Sequence, residues 1–445
     1  MEVRTTTAEH VVPEGRVHLL GAVETVTGAM TLAELDGARV LLDAGVAQGA
    51  EARGWRVPDE AHRVDAVVLT HGHNDHVGSL PTLLERGFAG PILGTAATLQ
   101  IARIVLVDGM RLNDVPASER VRVLKRFDAQ QRSVPYDRLV RPLDGRGPAL
   151  AFREAGHILG SASVELRASE SRVIVSGDLG RPDTPILRDY HEAWEPGAPV
   201  DLAVVESTYG GREHGHSHDD VQRRLERILN DAIDRGGHVL VPAFAIGRTQ
   251  TLLWHLNALV EAGRVRGLPV AVDTPMGLAV TETYAHFEPL YDPEALARIG
   301  RGDEPLDFEH LYAVRRGRDS HRLREVPGPM LVVAGSGMCT GGRIVRHLKE
   351  LLPRDTTTLL FVGHQARGTP GRRIQDAARR GEGWVRIDGE DVGLRAAVAT
   401  LSGLSAHADR AELTRWVRAI PDVRAVALHH GEPGAQHALA RALAT

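Results

Sequence analysis

The chain opens on segments that read as strands. Arg16–Leu20 and Met30–Leu35 flank a Gly/Thr-rich stretch, Gly21–Ala29, and Ala38–Leu42 follows an Asp36-Gly37 turn signal. The apolar run Asp65–Leu69 predicts a short buried strand that stops at Thr70. Helical spacing follows over Val77–Arg86, and two further helices are expected between Ala96 and Gln131. Strands return at Ala149–Glu154, Ser163–Ala168, Arg172–Ser176 and Asp201–Glu206. From about Ser207 to Asp391, β-loop-helix units repeat: helix His218–Arg235, strand His238–Val241, helix Gly247–Ala262, strand Leu268–Val272, helix Gly277–Tyr284, strand Met330–Ala334, helix Gly342–Leu351 and strand Thr357–Val362. Such units predict a second, parallel α/β domain. The tail from Thr400 reads as one loop, one helix (Ala411–Ala419) and one strand (Val423–Leu428), too little to stand alone.

Composition narrows the class. The 445 residues are 42% hydrophobic and 25% charged, a globular balance that excludes a disordered or fibrous chain. No apolar run approaches bilayer length and MEVRTTTAEH is no signal peptide, so a cytoplasmic protein without membrane partners is expected. The single cysteine, Cys339, excludes a disulfide framework and reads as a buried small side chain. Net charge is −5, so any polyanion site must be a local basic patch. Only two of the 53 basic residues, Lys125 and Lys349, are lysine.

The 22 histidines carry the chemistry. His71-Gly72-His73-Asn74-Asp75-His76 sets four potential ligands in six residues directly after a strand. His71 and His73 share one face of an extended segment, while Asp75 and His76 turn into the next helix, so two ions could be served. Imidazole and carboxylate without thiolate suit a catalytic zinc better than a structural site. His157 (EAGHILGS) and Asp178 (VIVSGDLG) also follow strands. Alone, each would be a structural histidine and a turn former; together with the cluster they complete two sites, and a carboxylate can bridge.

This set, with Asp43 in LLDAG, resembles the metallo-β-lactamase superfamily. Three more motifs resemble the β-CASP nucleases, the branch of the pre-mRNA 3′-end cleavage factor and of bacterial and archaeal RNases: Glu206 before STYGGREH, His407 in LSGLSAHAD and His430 in ALHHGE. VPAFAIGRTQTLL, VDTPMG, AGSGMCTGGRIVRHL and FVGHQARGTPGRR look like the same branch. The family usually carries Tyr where His364 stands and Leu where Pro370 stands. The resemblance runs from about Arg16 to Glu432. It implies an α/β fold, a four-layer αβ/βα sandwich with an inserted parallel α/β cap. The expected division is 1–208 and 396–445 for the sandwich and 209–395 for the cap.

By the same resemblance, His71, His73 and His157 hold one ion, Asp75, His76 and His430 hold a second, and Asp178 bridges them. His430 is preferred to His429 because Gly431-Glu432 follows and because strand neighbours face opposite ways. Two zinc ions per chain are implied, with manganese as a substitute, sharing a hydroxide that attacks phosphorus in single-stranded RNA. Asp43 would orient a ligand and His407 would act as general acid oriented by Glu206. In the cap, Arg248, Ser336, Gly337 and Arg343 at Gly-rich turns, and Arg367, Arg372 and Arg373, would meet the RNA backbone. A DNA exonuclease is the alternative, and a catalytically dead RNA-binding subunit a lesser one, since this chain keeps all seven ligands. A homodimer is compatible with the sequence.

His214, His216 and His218 resemble a metal tract, but Ser217 with Asp220 reads as a helix cap for His216 and His218, while His214, nearer the Glu206 motif, could approach substrate.

Overall fold

The Asp36-Gly37 turn forms as its composition demands. Both residues adopt positive φ, and Leu35 pairs with Ala38 across a two-residue hairpin. The computed structural model describes residues 1–445 except Ala50, Pro196 and Arg266, and leaves out the side chain of His218. The chain divides into two units, Met1–His214 with Ala406–Thr445, and Gly215–Ser405.

The first unit is built on two seven-stranded sheets. One runs in the order Glu9–Val12, Gly15–Gly21, Met30–Leu35, Ala38–Leu42, Ala66–Val68, Ile92–Gly94, Gln131–Ser133. The other runs Glu2–Arg4, Val423–His429, Val200–Glu206, Arg172–Val175, Ala162–Arg167, Ala149–Glu154, Leu139–Val140. Val17, Leu35 and Val68 of the first share one core cluster with Phe152, Val204 and Ala427 of the second, so the sheets face each other. On Val200–Glu206, Leu202 and Val204 point into that core while Ala203 and Val205 pack with Leu413, Trp416 and Leu439 on the opposite face. This period-two division of an all-apolar run explains why the strand is hydrophobic throughout. The layering is the αβ/βα sandwich.

The second unit carries a six-stranded sheet ordered Leu311–Ala313, Val270–Asp273, Met330–Ala334, His238–Pro242, Thr358–Phe361, Ala397–Thr400, with every neighbouring pair parallel. Ala397–Thr400 pairs with Thr358–Phe361, which carries the unit on to Ser405 instead of the 395 read from the sequence.

Three segments differ from the sequence reading. The helix expected over Val77–Arg86 is broken into Asn74–Val77 and Leu80–Glu85, because the Ser79 N–H donates to Ala44 O (2.8 Å) and its hydroxyl to Gly45 O (2.6 Å). A helix at Pro433–Ala444 closes the chain, started by Pro at its first position. The segment between Tyr284 and Met330, given no element by the sequence reading, holds the strand Leu311–Ala313 and the helices Pro293–Ile299 and Gly317–Arg322. Among the described residues no helix is long and apolar enough to cross a membrane.

Candidate metal centre

Strand ends of the first unit deliver every member of the seven-residue set. Ala38–Leu42 and Ala66–Val68 run parallel, so Asp43 and Thr70 leave side by side. Thr70 donates its N–H to Asp43 Oδ1 (2.8 Å) and its hydroxyl to Oδ2 (2.7 Å). His71 and His73 then follow in extended chain, and the helix Asn74–Val77 sets Asp75 and His76 in its only turn. His157 and Asp178 follow Ala149–Glu154 and Arg172–Val175. Gly177 has φ +58 and its Cβ position lies 2.8 Å from Thr70 Cβ, so only glycine lets Asp178 come this close. His430 follows Val423–His429 at φ +51, a left-handed conformation that is unusual outside glycine and turns the ring toward Asp75 and Asp178.

The ring nitrogens converge in two groups. His73 Nδ1 lies 3.0 Å from His71 Nε2 and 3.3 Å from His157 Nε2. His76 Nε2 lies 3.2 Å from His430 Nε2, with Asp75 Oδ2 3.7 Å from the latter. The far sides of these rings are engaged. His71 Nδ1 meets Thr70 Oγ1 (3.1 Å), His157 Nδ1 meets Ala406 O (3.1 Å) and His76 Nδ1 meets Asp43 Oδ2 (2.7 Å). A nitrogen facing a carbonyl or carboxylate must carry the proton, so in the neutral ring the inward nitrogen of His157 or His76 presents a lone pair. Two ring nitrogens about 3 Å apart cannot both be bare unless a cation lies between them. Asp178 spans both groups: Oδ2 is 3.6 Å from His71 Nε2 and from His157 Nε2, and Oδ1 is 3.4 Å from His76 Nε2 and 3.5 Å from His430 Nδ1. Asp178 Oδ1 is buried and, among the described residues, has these ion-pair contacts but no hydrogen bond. A buried carboxylate oxygen left in this way fits a ligand atom, and the residues present therefore suit divalent metal binding.

Electrostatics reinforce the geometry. Burial holds His71, His73 and His157 below the usual histidine range, with neighbouring histidines adding to it, which keeps them neutral and able to ligate. For His76 burial acts the same way, but Asp178 and Asp43 overcome it and push the ring well up, so an ion taken at its Nε2 displaces a proton. Asp75 is held down to about 2: burial opposes its charge, and His430 and His76 outweigh it.

Glu206 and His407 flank the set. Glu206 is fully buried; its Oε1 accepts from Leu179 N–H (2.8 Å) and lies 3.3 Å from His407 Nδ1, and its Oε2 accepts from Thr208 N–H (3.2 Å). Burial disfavours the charged His407 ring, yet Glu206 and Asp178 raise it to about 9. The ring lies 4.5 Å from that of His157 and stacks at 5.9 Å on Tyr209.

The expected backbone contacts all lie in the second unit and differ in availability. Arg367 is exposed and makes no ion pair among the described residues. Arg248 is half-buried at the first position of the helix Arg248–Glu261. Arg373 is exposed, with Nη1 on Gly368 O (3.0 Å), and Arg372 pairs with Asp376 (3.0 Å). Ser336 Oγ lies 3.0 Å from Thr340 Oγ1. Arg343, expected at the substrate, is instead turned inward onto Asp273 Oδ1 (2.6 Å) and the carbonyls of Val314 and Arg315. Ser217 and Asp220 form a capping box, while His214 Nε2 lies 2.9 Å from His407 O; the His218 side chain lies outside the described residues. Cys339 is buried, and burial pushes its thiol up to about 12. Thr70, Thr208 and Ser161, whose hydroxyl accepts from His157 N–H (2.9 Å), were not singled out in the sequence. Only Thr70, adjacent to the histidine cluster, had a signal there.

Comparison with known proteins agrees with this geometry. The Metallo-beta-lactamase superfamily matches residues 24–236, the Beta-Casp domain 249–374 and the Zn-dependent metallo-hydrolase RNA specificity domain 391–445. Ribonuclease TTHA0252 of Thermus thermophilus is 38% identical over 433 residues, 96% of each chain. The chain belongs to the β-CASP branch of the metallo-β-lactamase superfamily. Transcription termination factor FttA of Methanothermobacter thermautotrophicus is 30% identical, with 94% of this chain covering 67% of that protein. A crystal structure from Enterococcus faecalis V583, titled a protein of unknown function, shares the fold at TM-score 0.56 and 12% identity, covering 95% of this chain and 96% of that one.

Proposed function

We propose that this β-CASP protein is a zinc-dependent ribonuclease that hydrolyses phosphodiester bonds of single-stranded RNA. The observation that carries the reading is the convergence of inward-facing imidazole nitrogens and the shared Asp178 carboxylate on two adjacent points. His71, His73 and His157 would hold one ion, Asp75, His76 and His430 the other, with Asp178 shared. Imidazole and carboxylate donors suit a catalytic zinc or a similar ion such as manganese. Bound there, two divalent ions supply charge against the phosphate and lower the pKa of water toward neutrality.

The chain's own residues do the rest. Asp43 fixes the His76 tautomer through Nδ1, and Thr70 fixes His71 in the same way. Glu206 holds His407 protonated beside the centre, where it can deliver its proton to the leaving oxygen of the cleaved bond. Arg248, Arg367 and Arg373 supply positive charge to the phosphate backbone. The match of the RNA specificity domain to residues 391–445 and the ribonuclease relative favour RNA over DNA.

Matched RNA and DNA oligonucleotides labelled at either end, incubated with and without chelator, test the reading. RNA should be cut, DNA spared, and chelation should stop the reaction. Unimpaired turnover by Asp75→Ala, or equal cutting of DNA, would overturn it.

A further inference from the structure

Three loops of the second unit leave the carboxyl ends of adjacent parallel strands, His238–Pro242, Met330–Ala334 and Thr358–Phe361. Open parallel sheets take their ligands at that edge. The first loop carries Phe244, 40% exposed. A single exposed apolar residue is ordinary. This one is held in a built setting. A Cβ on Gly337, in the second loop, would fall 2.8 Å from Phe244 Cδ2, and one on Gly363, in the third, 3.6 Å from Cε2. The ring edge thus rests on two residues that have no side chain. Both are pinned by one buried amide: Gln365 Nε2 donates to Gly337 O (2.9 Å) and to Gly363 O (3.2 Å). The Phe244 carbonyl is fixed in turn, accepting from Thr249 N–H (3.2 Å) and Oγ1 (2.8 Å). The other exposed aromatics of this unit, Tyr312 and Trp384, sit on an edge strand and a hairpin.

We propose that Phe244 is a stacking platform for a nucleobase of the single-stranded RNA substrate, set in place by Gly337, Gly363 and Gln365. The inference rests on the ribonuclease reading and deepens it. A flat ring immobilised at one edge and open to solvent elsewhere accepts a base face without ordering cost, and every base offers such a face. Arg248, four residues on, and Arg367, four residues after Gly363, provide the cations that a ribose-phosphate chain requires. A paired strand keeps its bases stacked on one another, so the platform selects single strands.

The test uses the zinc-loaded full chain with Phe244→Ala, Phe244→Leu and Phe244→Trp. For a single-stranded RNA carrying 2-aminopurine at successive positions, one position should show stopped-flow quenching with wild type and Trp and none with Ala or Leu. KM for that RNA should rise about 10-fold in the Ala and Leu variants. Phosphate contacts are untouched, so the salt dependence of KM should keep its slope. Unfolding midpoints and zinc content check that each variant is folded. An RNA abasic at the quenched position should bind wild type and Phe244→Ala alike. Unchanged KM and quenching in a folded Phe244→Ala protein would overturn the platform while RNA cleavage still upholds the ribonuclease reading. A wild-type protein that leaves RNA intact would overturn that reading itself.

Discussion

The Asp43 carboxylate lies 2.7 Å from His76 Nδ1 through the same oxygen that accepts the Thr70 hydroxyl. One buried oxygen therefore orients a ligand of the proposed second ion and braces the strand end from which the first ion's ligands emerge. Asp43→Asn places an amide N–H where two donors already point, or leaves only one oxygen to serve three. Affinity at the His76 site should fall about 10- to 100-fold. Zinc competition with a fluorescent chelator should then resolve one tight and one weakened ion, where wild type shows two tight ones. Two unchanged affinities would remove Asp43 from the centre.

Removing the ions should also cost stability. Without a cation, the His73–His71 and His76–His430 nitrogen pairs face each other at 3.0 and 3.2 Å. Ions at about 100 times their dissociation constant stabilise the folded chain by about 2.7 kcal/mol. In calorimetry, chelated protein should melt lower than loaded protein, and re-addition of zinc should restore the midpoint. Identical midpoints would mean that no ion sits among these histidines.

The pH dependence of stability should report Glu154. This residue ends the strand Ala149–Glu154; its Oε1 accepts from Gly156 N–H (3.1 Å), and Tyr136 Oη lies 3.4 Å away. Burial raises the carboxyl to about 8, despite the Gly156 hydrogen bond and the Arg188 charge. Below its ordinary value of 4.5 the carboxyl is protonated in both folded and unfolded chains. Between there and about 8 only the folded chain keeps the proton, so stability falls as pH rises through that window. Urea midpoints at pH 5 and pH 8 should differ more in wild type than in Glu154→Gln. Equal pH dependence in the two would refute the assignment.

Much of the centre could be read from the chain because its chemistry is local. His71 to His76 are contiguous, and strand ends precede His157, Asp178 and His430. What escaped was set by distant partners. Arg343 reads as a phosphate ligand at the start of a helix, yet Asp273, seventy positions away, draws it inward. The break in the helix after Val77 depends on the carbonyls of Ala44 and Gly45. Phe244 looks like a core residue until the two glycines beside it are brought together by the sheet.

The helix Arg410–Ala419 anchors the returning tail through Trp416, which is fully buried and meets the Trp194 ring edge-on at 5.6 Å. Trp416→Ala should leave a large cavity beside Leu413 and Leu439 and cost about 3–5 kcal/mol. Guanidinium unfolding should show a lower midpoint with the slope retained. A change under about 1 kcal/mol would mean that the tail contributes little to this core.

A proton donor can be told from an electrostatic prop by its leaving-group dependence. Glu206 Oε1 lies 3.3 Å from His407 Nδ1 and favours the charged ring. If His407 protonates the departing ribose oxygen, His407→Ala should slow RNA cleavage about 10²- to 10⁴-fold. The same variant should slow hydrolysis of a p-nitrophenyl phosphodiester far less, because nitrophenolate departs without a proton. Zinc content should be unchanged, since the seven proposed ligands remain. Glu206→Gln should follow the same pattern more weakly, as an amide holds the ring in place without favouring its charge. Equal losses on RNA and on the activated ester would show that His407 stabilises charge on the phosphate rather than donating a proton.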